Sequence, residues 1–401
     1  MPPLSVAEAL QRILDGVAPT AAETVPVEAA HGRVLAEELI ARLTQPPFDA
    51  SAMDGYAVKS ADLDTLPSTL DVIGTAAAGH PFAGTLGPGQ AVRIFTGAPV
   101  PSGSDAIVIQ EEAERVGDRV RVLNARIDRT HIRPRGLDFE VGAALLGIGR
   151  RLGPREVSLA AAMGYGRLSV RRRPRLAVLS TGDELVAPGQ LPGEAQIVSS
   201  NHLGVAAMAQ AAGAEVEFLG IARDLPESLN AHFAKAADAD VLVTIGGASV
   251  GDHDLVAPVL TARGMTLAFW KIAMRPGKPL MFGRLRQTRI LGLPGNPVSA
   301  LVCARLFLVP LLRALLGVPN AESAPLKART AVALEANGVR EHYMRATHRR
   351  GEDGLALVTP VRSQDSSLLS PLADADCLLV RAAGAPAVPV GGLVSILPLD
   401  F

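Results

Sequence analysis

Residues 174–185 read Pro174-Arg-Leu-Ala-Val-Leu-Ser-Thr-Gly-Asp-Glu-Leu185, and residues 241–247 read Val241-Leu-Val-Thr-Ile-Gly-Gly247. Each is a short, unbroken apolar run that stops at glycine. Strands that show no polar alternation are buried on both faces, the habit of a parallel sheet covered by helices. The neighbouring segments supply those helices. Strands are expected at 176–179, 216–219, 241–245, 267–270 and 290–293. Helices are expected at 201–212, 226–237, 254–263 and 297–316. The alternation is that of an α/β domain, whose ligands bind at the carboxyl ends of the strands. The apolar stretch 300–318 carries Arg305, Pro310 and Arg313, so it reads as a core helix rather than a membrane span.

Outward from this domain the texture changes. Ser5 and Glu8 have capping-box spacing and predict a helix over 6–15, with no signal-peptide pattern before it. From residue 46 to about 136, short β-rich runs at 92–95, 106–109 and 120–123 alternate with turns such as Gly87-Pro88-Gly89. Residues 152–170 return to a helical texture. Arg171-Arg172-Arg173-Pro174 is a polar, stiff boundary. After 319, short runs at 329–334, 355–359, 377–380 and 393–397 read as a small all-β tail domain.

The chain of 401 residues is long enough for several domains. Its 39 Lys+Arg and 40 Asp+Glu nearly cancel, which argues against a nucleic-acid partner. Hydrophobic residues make up 48% and aromatic residues 3%, so Ala, Val and Leu must fill the cores. The two cysteines, Cys303 and Cys377, suit neither a disulfide scaffold nor a structural zinc site, and a reducing cytosol fits them.

Several loops at expected strand ends could carry chemistry. In Thr181-Gly182-Asp183-Glu184, backbone N–H groups can cradle a phosphate and carboxylates can hold a metal that bridges to it. A plain helix cap explains the same residues. Thr244-Ile-Gly-Gly-Ala-Ser-Val-Gly-Asp-His-Asp254 has three glycines in six residues; its amides and Ser249 suit an oxyanion, and Asp252 and Asp254 suit a divalent cation. Arg275-Pro276-Gly277-Lys278-Pro279 sets two cations around a stiff turn. Leu293-Pro-Gly-Asn-Pro-Val-Ser299 is a further Gly/Pro loop opening a helix. In the β-rich region, Asp54-Gly55 and Thr96-Gly97 have turn chemistry, which alone could account for them.

The chain closely resembles the molybdopterin molybdenumtransferases, the MoeA family that includes the gephyrin E domain. The resemblance rests on Ser51-Ala-Met-Asp-Gly-Tyr-Ala-Val58, Arg93-Ile-Phe-Thr-Gly-Ala-Pro99, Leu179-Ser-Thr-Gly-Asp-Glu-Leu185, Gly246-Gly-Ala-Ser-Val-Gly251, Pro276-Gly-Lys-Pro279 and Gly292-Leu-Pro-Gly-Asn-Pro-Val-Ser-Ala300, in that order over nearly the whole chain. It implies an elongated multidomain homodimer of α/β and β architecture. A discontinuous helical linker domain would occupy 1–45 and 140–170. A β-rich domain would span 46–139, a molybdopterin-binding α/β domain with a mostly parallel sheet 171–319, and a β-barrel 320–401.

The implied reaction joins molybdate to adenylylated molybdopterin with Mg2+ and releases AMP. The site would lie between the third domain of one subunit and the second domain of the other. By motif, Asp54, Thr96, Glu184 and Asp224 would be catalytic, and Glu184, Asp252 and Asp254 would hold the metal. Thr181, Gly182, Gly246, Gly247, Ser249, Gly251, Pro294 and Asn296 would bind the substrate. Arg275, Lys278 and Ser299 would form the molybdate side, with Arg345 and Ser366 added from the fourth domain. Asp138 falls at a further acidic position, but Leu137 stands where the family has Glu. Arg275 replaces a common Lys, which keeps the charge and changes the donor geometry. The partners implied are a second copy, a molybdopterin adenylyltransferase and molybdoenzyme apoproteins, with no nucleic acid or membrane, in the cytoplasm.

The residue types suit that chemistry. A diphosphate dianion ~5 Å from molybdate, at an effective dielectric of ~20, is repelled by roughly 13 kcal/mol. Helix dipoles at ~0.3–1 kcal/mol each cannot offset this, whereas a divalent cation with Lys and Arg can. The nearest alternatives are a molybdopterin adenylyltransferase, which the third domain alone resembles, and a non-catalytic scaffold, which would have lost the acidic residues.

Overall fold

The computed structural model describes residues 3–124, 127–247, 255–319, 324–351 and 353–399. At its centre is a six-stranded sheet in the order Glu215–Ala222, Arg175–Thr181, Val241–Ile245, Thr288–Leu293, Met281–Leu285, Thr266–Phe269. The first three pairings are parallel and the last two antiparallel. Every residue of Val241–Ile245 is buried, as its unbroken apolar run requires. Side chains of Arg175–Thr181 alternate between two cores. Leu176 and Val178 join the helical run 297–315 and helix Asn201–Ala211 on one face. Ala177 and Leu179 meet Leu229, Phe233 and Val256 on the other.

The helical run is α-helix over Pro297–Cys303, a π turn over Ala304–Leu308 and α-helix again over Val309–Leu315. Pro310 has no N–H for the Leu306 carbonyl, and the π turn spans that carbonyl. By length and composition this run could cross a membrane, yet 83% of it is buried inside the protein. It is a core helix.

The first helix, Val6–Leu14, carries the expected capping box: Glu8 N–H donates to Ser5 Oγ at 3.2 Å and Ser5 N–H to the Glu8 carboxylate at 2.8 Å. Its Val6, Ala9 and Ile13 pack into the α/β core, apart from the linker residues that follow them. The linker is less helical than its sequence texture. Only Pro154–Ala162 is α-helix there, and Arg167–Arg171 is a strand paired antiparallel with Ala22–Pro26. The polar faces of these two short strands hide the alternation that marks longer ones. The chain leaves the linker and returns to it side by side, where Gln45 N–H donates to the Phe139 carbonyl at 2.8 Å.

Between these points lies a β-rich sheet in the order Ala106–Ile109, Gly55–Val58, Gln90–Ile94, Ser68–Ala76, Arg119–Val122, Ala113–Val116. The C-terminal unit is a closed barrel of five strands. Glu341–Arg350 pairs with both Ala356–Pro360 and Cys377–Arg381, and Leu326–Thr330 and Leu393–Pro398 complete the ring. Strand Met274–Arg275 leaves the α/β unit and adds to this barrel, parallel to Glu341 and His342.

Candidate functional site

The chain runs from the central strand Arg175–Thr181 out to the edge strand and returns to Val241–Ile245 on the other side. A crevice opens where the strand order reverses, at the carboxyl ends of the strands. It encloses about 730 Å3 and is lined by Thr181, Gly182, Glu184, Asp224, Gly246 and Gly247, with Pro294 and Asn296 closing one side. Gly246 has φ of +92°, and a Cβ there would stand 2.6 Å from the Thr181 carbonyl oxygen, so only glycine fits the turn. Thr181 is 4% exposed, and its hydroxyl, beside this turn, has no hydrogen-bond partner among the described residues. A buried hydroxyl without a partner costs about 1–3 kcal/mol unless a ligand or water meets it. The Asp224 N–H donates to Asp183 at 3.3 Å, which steadies the second acidic loop.

A second cavity of about 1150 Å3 adjoins the first and shares the wall Pro294-Gly295-Asn296. Arg275, Lys278, Arg340 and Arg362 line it, opposed by the single carboxylate of Asp365. Ser299, itself 5% exposed, and Ser366 also face it. The positive field is felt nearby: burial first, then the charges of Arg275, Arg340 and Arg381, push the His342 pKa down to about 4, so this imidazole is neutral at neutral pH. The shared wall is anchored from both sides. Asn201 Nδ2 donates to the Gly295 carbonyl at 2.7 Å, Asn296 Nδ2 donates to Ser366 Oγ at 2.8 Å, and Val298 N–H donates to the Ser366 carbonyl at 3.1 Å.

Beneath the cationic turn, Gly277 adopts φ of +105°, and a Cβ there would stand 2.5 Å from Cys303 Sγ. The turn therefore rests directly on the core helix, and its backbone is fixed while the Lys278 side chain stays exposed.

The structure places Arg345 away from both cavities. Its side chain is 1% exposed and lines neither cavity. The guanidinium donates instead to the carbonyls of Leu368, Ser363 and Asp365 at 2.7–2.9 Å. Arg345 thus hangs the 363–368 loop, and through it Ser366. Replacing Arg345 with Met is expected to lower unfolding stability by about 3 kcal/mol in urea titration. Lys should not restore it, because an ammonium cannot span three divergent carbonyls. Wild-type stability in both variants would contradict this role.

Ser249, Gly251, Asp252 and Asp254 lie outside the described residues. Asp138 is exposed at the junction of the linker and the β-rich sheet and lines neither cavity. Asp54 and Thr96 meet because Gly55 pairs with Ile94, which sets the residues flanking those strands side by side. The Thr96 N–H and hydroxyl both donate to Asp54 Oδ1, at 2.7 and 2.8 Å. These two bonds, with a lesser contribution from Arg93, hold the Asp54 carboxyl below the usual carboxylate range. Neither residue lines the crevice or the cationic cavity of its own chain.

Arg340 and Arg362 were not singled out by sequence. Arg340 flanks Glu341–Arg350, a strand too polar to show an apolar pattern, and Arg362 follows the legible strand Ala356–Pro360; nothing in the sequence placed either beside Lys278. Among the described residues no group of three or more His, Cys, Asp or Glu side chains is gathered for a metal.

Three family profiles match consecutive stretches of the chain. They are described as the MoeA N-terminal region, domains I and II, over residues 4–164; a probable molybdopterin binding domain over 177–314; and the MoeA C-terminal region, domain IV, over 327–399. A molybdopterin molybdenumtransferase of Haemophilus influenzae is 36% identical over 95% of each chain. Another, from Nostoc sp., is 39% identical over 80% of this chain and 76% of its own. The crystal structure of a molybdopterin biosynthesis MoeA protein from Pyrococcus horikoshii superposes with a TM-score of 0.81 at 31% identity, covering 99% of both chains.

Proposed function

The chain belongs to the molybdopterin molybdenumtransferase family, and from that membership we propose that it transfers molybdenum from molybdate to adenylylated molybdopterin with release of AMP. One observation carries the finer reading: two adjoining cavities of opposite character share the wall Pro294–Asn296. One offers backbone turns, hydroxyls and carboxylates, and the other offers four cations. Such a pair suits a nucleotide diphosphate beside a compact dianion. The Gly246-Gly247 turn and the Thr181 hydroxyl face the phosphates, and Arg275, Lys278, Arg340 and Arg362 hold molybdate. The cations offset the repulsion between the two anions.

Glu184 and Asp224 fit Mg2+. Their donors are hard oxygens, and Mg2+ is commonly held by one or two carboxylates together with substrate phosphates rather than by a full protein cage. When bound there, the ion would neutralise phosphate charge at the bond that breaks. Asp54, ionised and held by Thr96, would face the crevice of a second copy, which makes the working form a homodimer. A cytosolic setting fits, with a molybdopterin adenylyltransferase supplying substrate and molybdoenzyme apoproteins receiving the product.

The test uses the purified chain with adenylylated molybdopterin, molybdate and Mg2+. Glu184→Gln keeps the side-chain volume and removes the charge. AMP release is expected to fall about a hundredfold or more, with the melting temperature unchanged. Mg2+-stimulated AMP release at the wild-type rate in this variant would remove Glu184 from the role.

A further inference from the structure

Ser180, Ser199 and His202 form a buried chain at the crevice floor that the proposed reaction leaves unused. They are exposed by only 1%, 4% and 5%. Ser199 Oγ lies 3.1 Å from Ser180 Oγ and 3.2 Å from His202 Nδ1. Ser180 and Ser199 line the crevice, whereas His202, in the first turn of helix Asn201–Ala211, sits behind them. Its ring stacks on Phe218 of the neighbouring strand, with centroids 3.9 Å apart and planes at 12°, which fixes its orientation. Burial lowers its pKa, so the imidazole is neutral at neutral pH and exists as one of two tautomers.

A serine hydroxyl has one proton to give, so Ser199 cannot donate in both directions. With Nδ1 bare, Ser199 donates to His202, Ser180 donates to Ser199, and Ser180 offers the crevice only lone pairs. With the proton on Nδ1, His202 donates to Ser199, Ser199 donates to Ser180, and the proton of Ser180 is free for the crevice. The tautomer at one end therefore decides whether the other end accepts or donates.

We propose that His202 is a positioning residue that, through Ser199, sets the hydrogen-bond polarity of Ser180 toward the bound pterin nucleotide. The proposal rests on the reading that this crevice holds adenylylated molybdopterin. A pterin edge presents both donors and acceptors, so one setting makes a buried hydrogen bond and the other opposes like groups.

The experiment titrates the purified full chain anaerobically with adenylylated molybdopterin. It compares the wild type with Ser199→Ala, His202→Leu, their combination and His202→Asn, whose amide reaches the Nδ1 position. Each of the first two is expected to weaken binding about tenfold, the double variant no further, and His202→Asn to recover most of the loss. The molybdate concentration for half-maximal turnover should not move. In 15N-histidine spectra of the wild-type complex, the resonances that vanish in His202→Asn should show a single tautomer. Additive losses, a His202→Asn variant as weak as His202→Leu, or a mixture of tautomers in the complex would overturn the proposal. If the wild type itself does not bind adenylylated molybdopterin, the reading of the crevice fails and the proposal falls with it. If the wild type binds and all variants match it, only the proposal fails.

Discussion

Two inactive variants are expected to restore activity when combined. Asp54→Ala removes the carboxylate that Thr96 orients on the β-rich sheet, and Glu184→Gln removes the one in the α/β crevice. Each homodimer should release AMP at less than about 1% of the wild-type rate. Asp54 does not line the crevice of its own chain, so each site would draw Asp54 from one subunit and Glu184 from the other. When equal amounts of the two chains assemble at random, half the dimers are mixed. Each mixed dimer has one site with both native residues and one with neither. Activity should therefore return to about a quarter of the wild type. No recovery in demonstrably mixed dimers would place both carboxylates in one subunit's site and refute the shared arrangement.

Lys278→Ala is expected to raise the molybdate concentration for half-maximal cofactor formation roughly ten- to a hundredfold. A charge-assisted hydrogen bond in a partly enclosed site is worth ~1.5–3 kcal/mol, and the substitution removes it. The backbone under Lys278 is stiffened by Pro276 and Pro279 and seated on Cys303 through Gly277, so the ammonium loses little backbone freedom on binding. Arg275, Arg340 and Arg362 remain, which keeps the effect finite. Affinity for adenylylated molybdopterin should change much less, because the Gly246-Gly247 turn and Thr181 belong to the other cavity. An unchanged molybdate titration would reduce Lys278 to a solvated turn residue, and equal weakening of both substrates would move it to the phosphate side.

The α/β unit was legible because burial on both faces leaves a plain mark in sequence. Val241–Ile245 falls where its apolar run lies, and Pro297 opens its helix as the Pro-after-loop signal requires. Met281–Leu285 went unread because it is a short hairpin partner without helix signals around it. Glu341–Arg350 escaped because a barrel strand that turns a polar face to solvent, in Glu-His-Tyr-Met-Arg-Ala-Thr-His-Arg-Arg, has little apolar alternation. That omission hid both Arg340 and the burial of Arg345. Motif can say that an arginine matters, but burial at 1% and three carbonyl partners decide what it holds. The loops at 181–184, 275–279 and 294–299 were readable one by one; that two cavities share one of them as a wall is a three-dimensional fact.

Gln45 and Phe139 form a single antiparallel bridge, so the chain enters and leaves the β-rich unit at adjacent points of the linker. The β-rich unit is in effect a cassette. A single excision of residues 46–138 would leave two chain ends already side by side, to be rejoined by a tight turn without disturbing the linker core of Leu35, Leu152, Met163 and Val170. The same geometry would let this module, and Asp54 with it, be removed or replaced as one piece. It would also make that one bridge the pivot of the unit. Small rotations at that bridge would become larger displacements of Asp54.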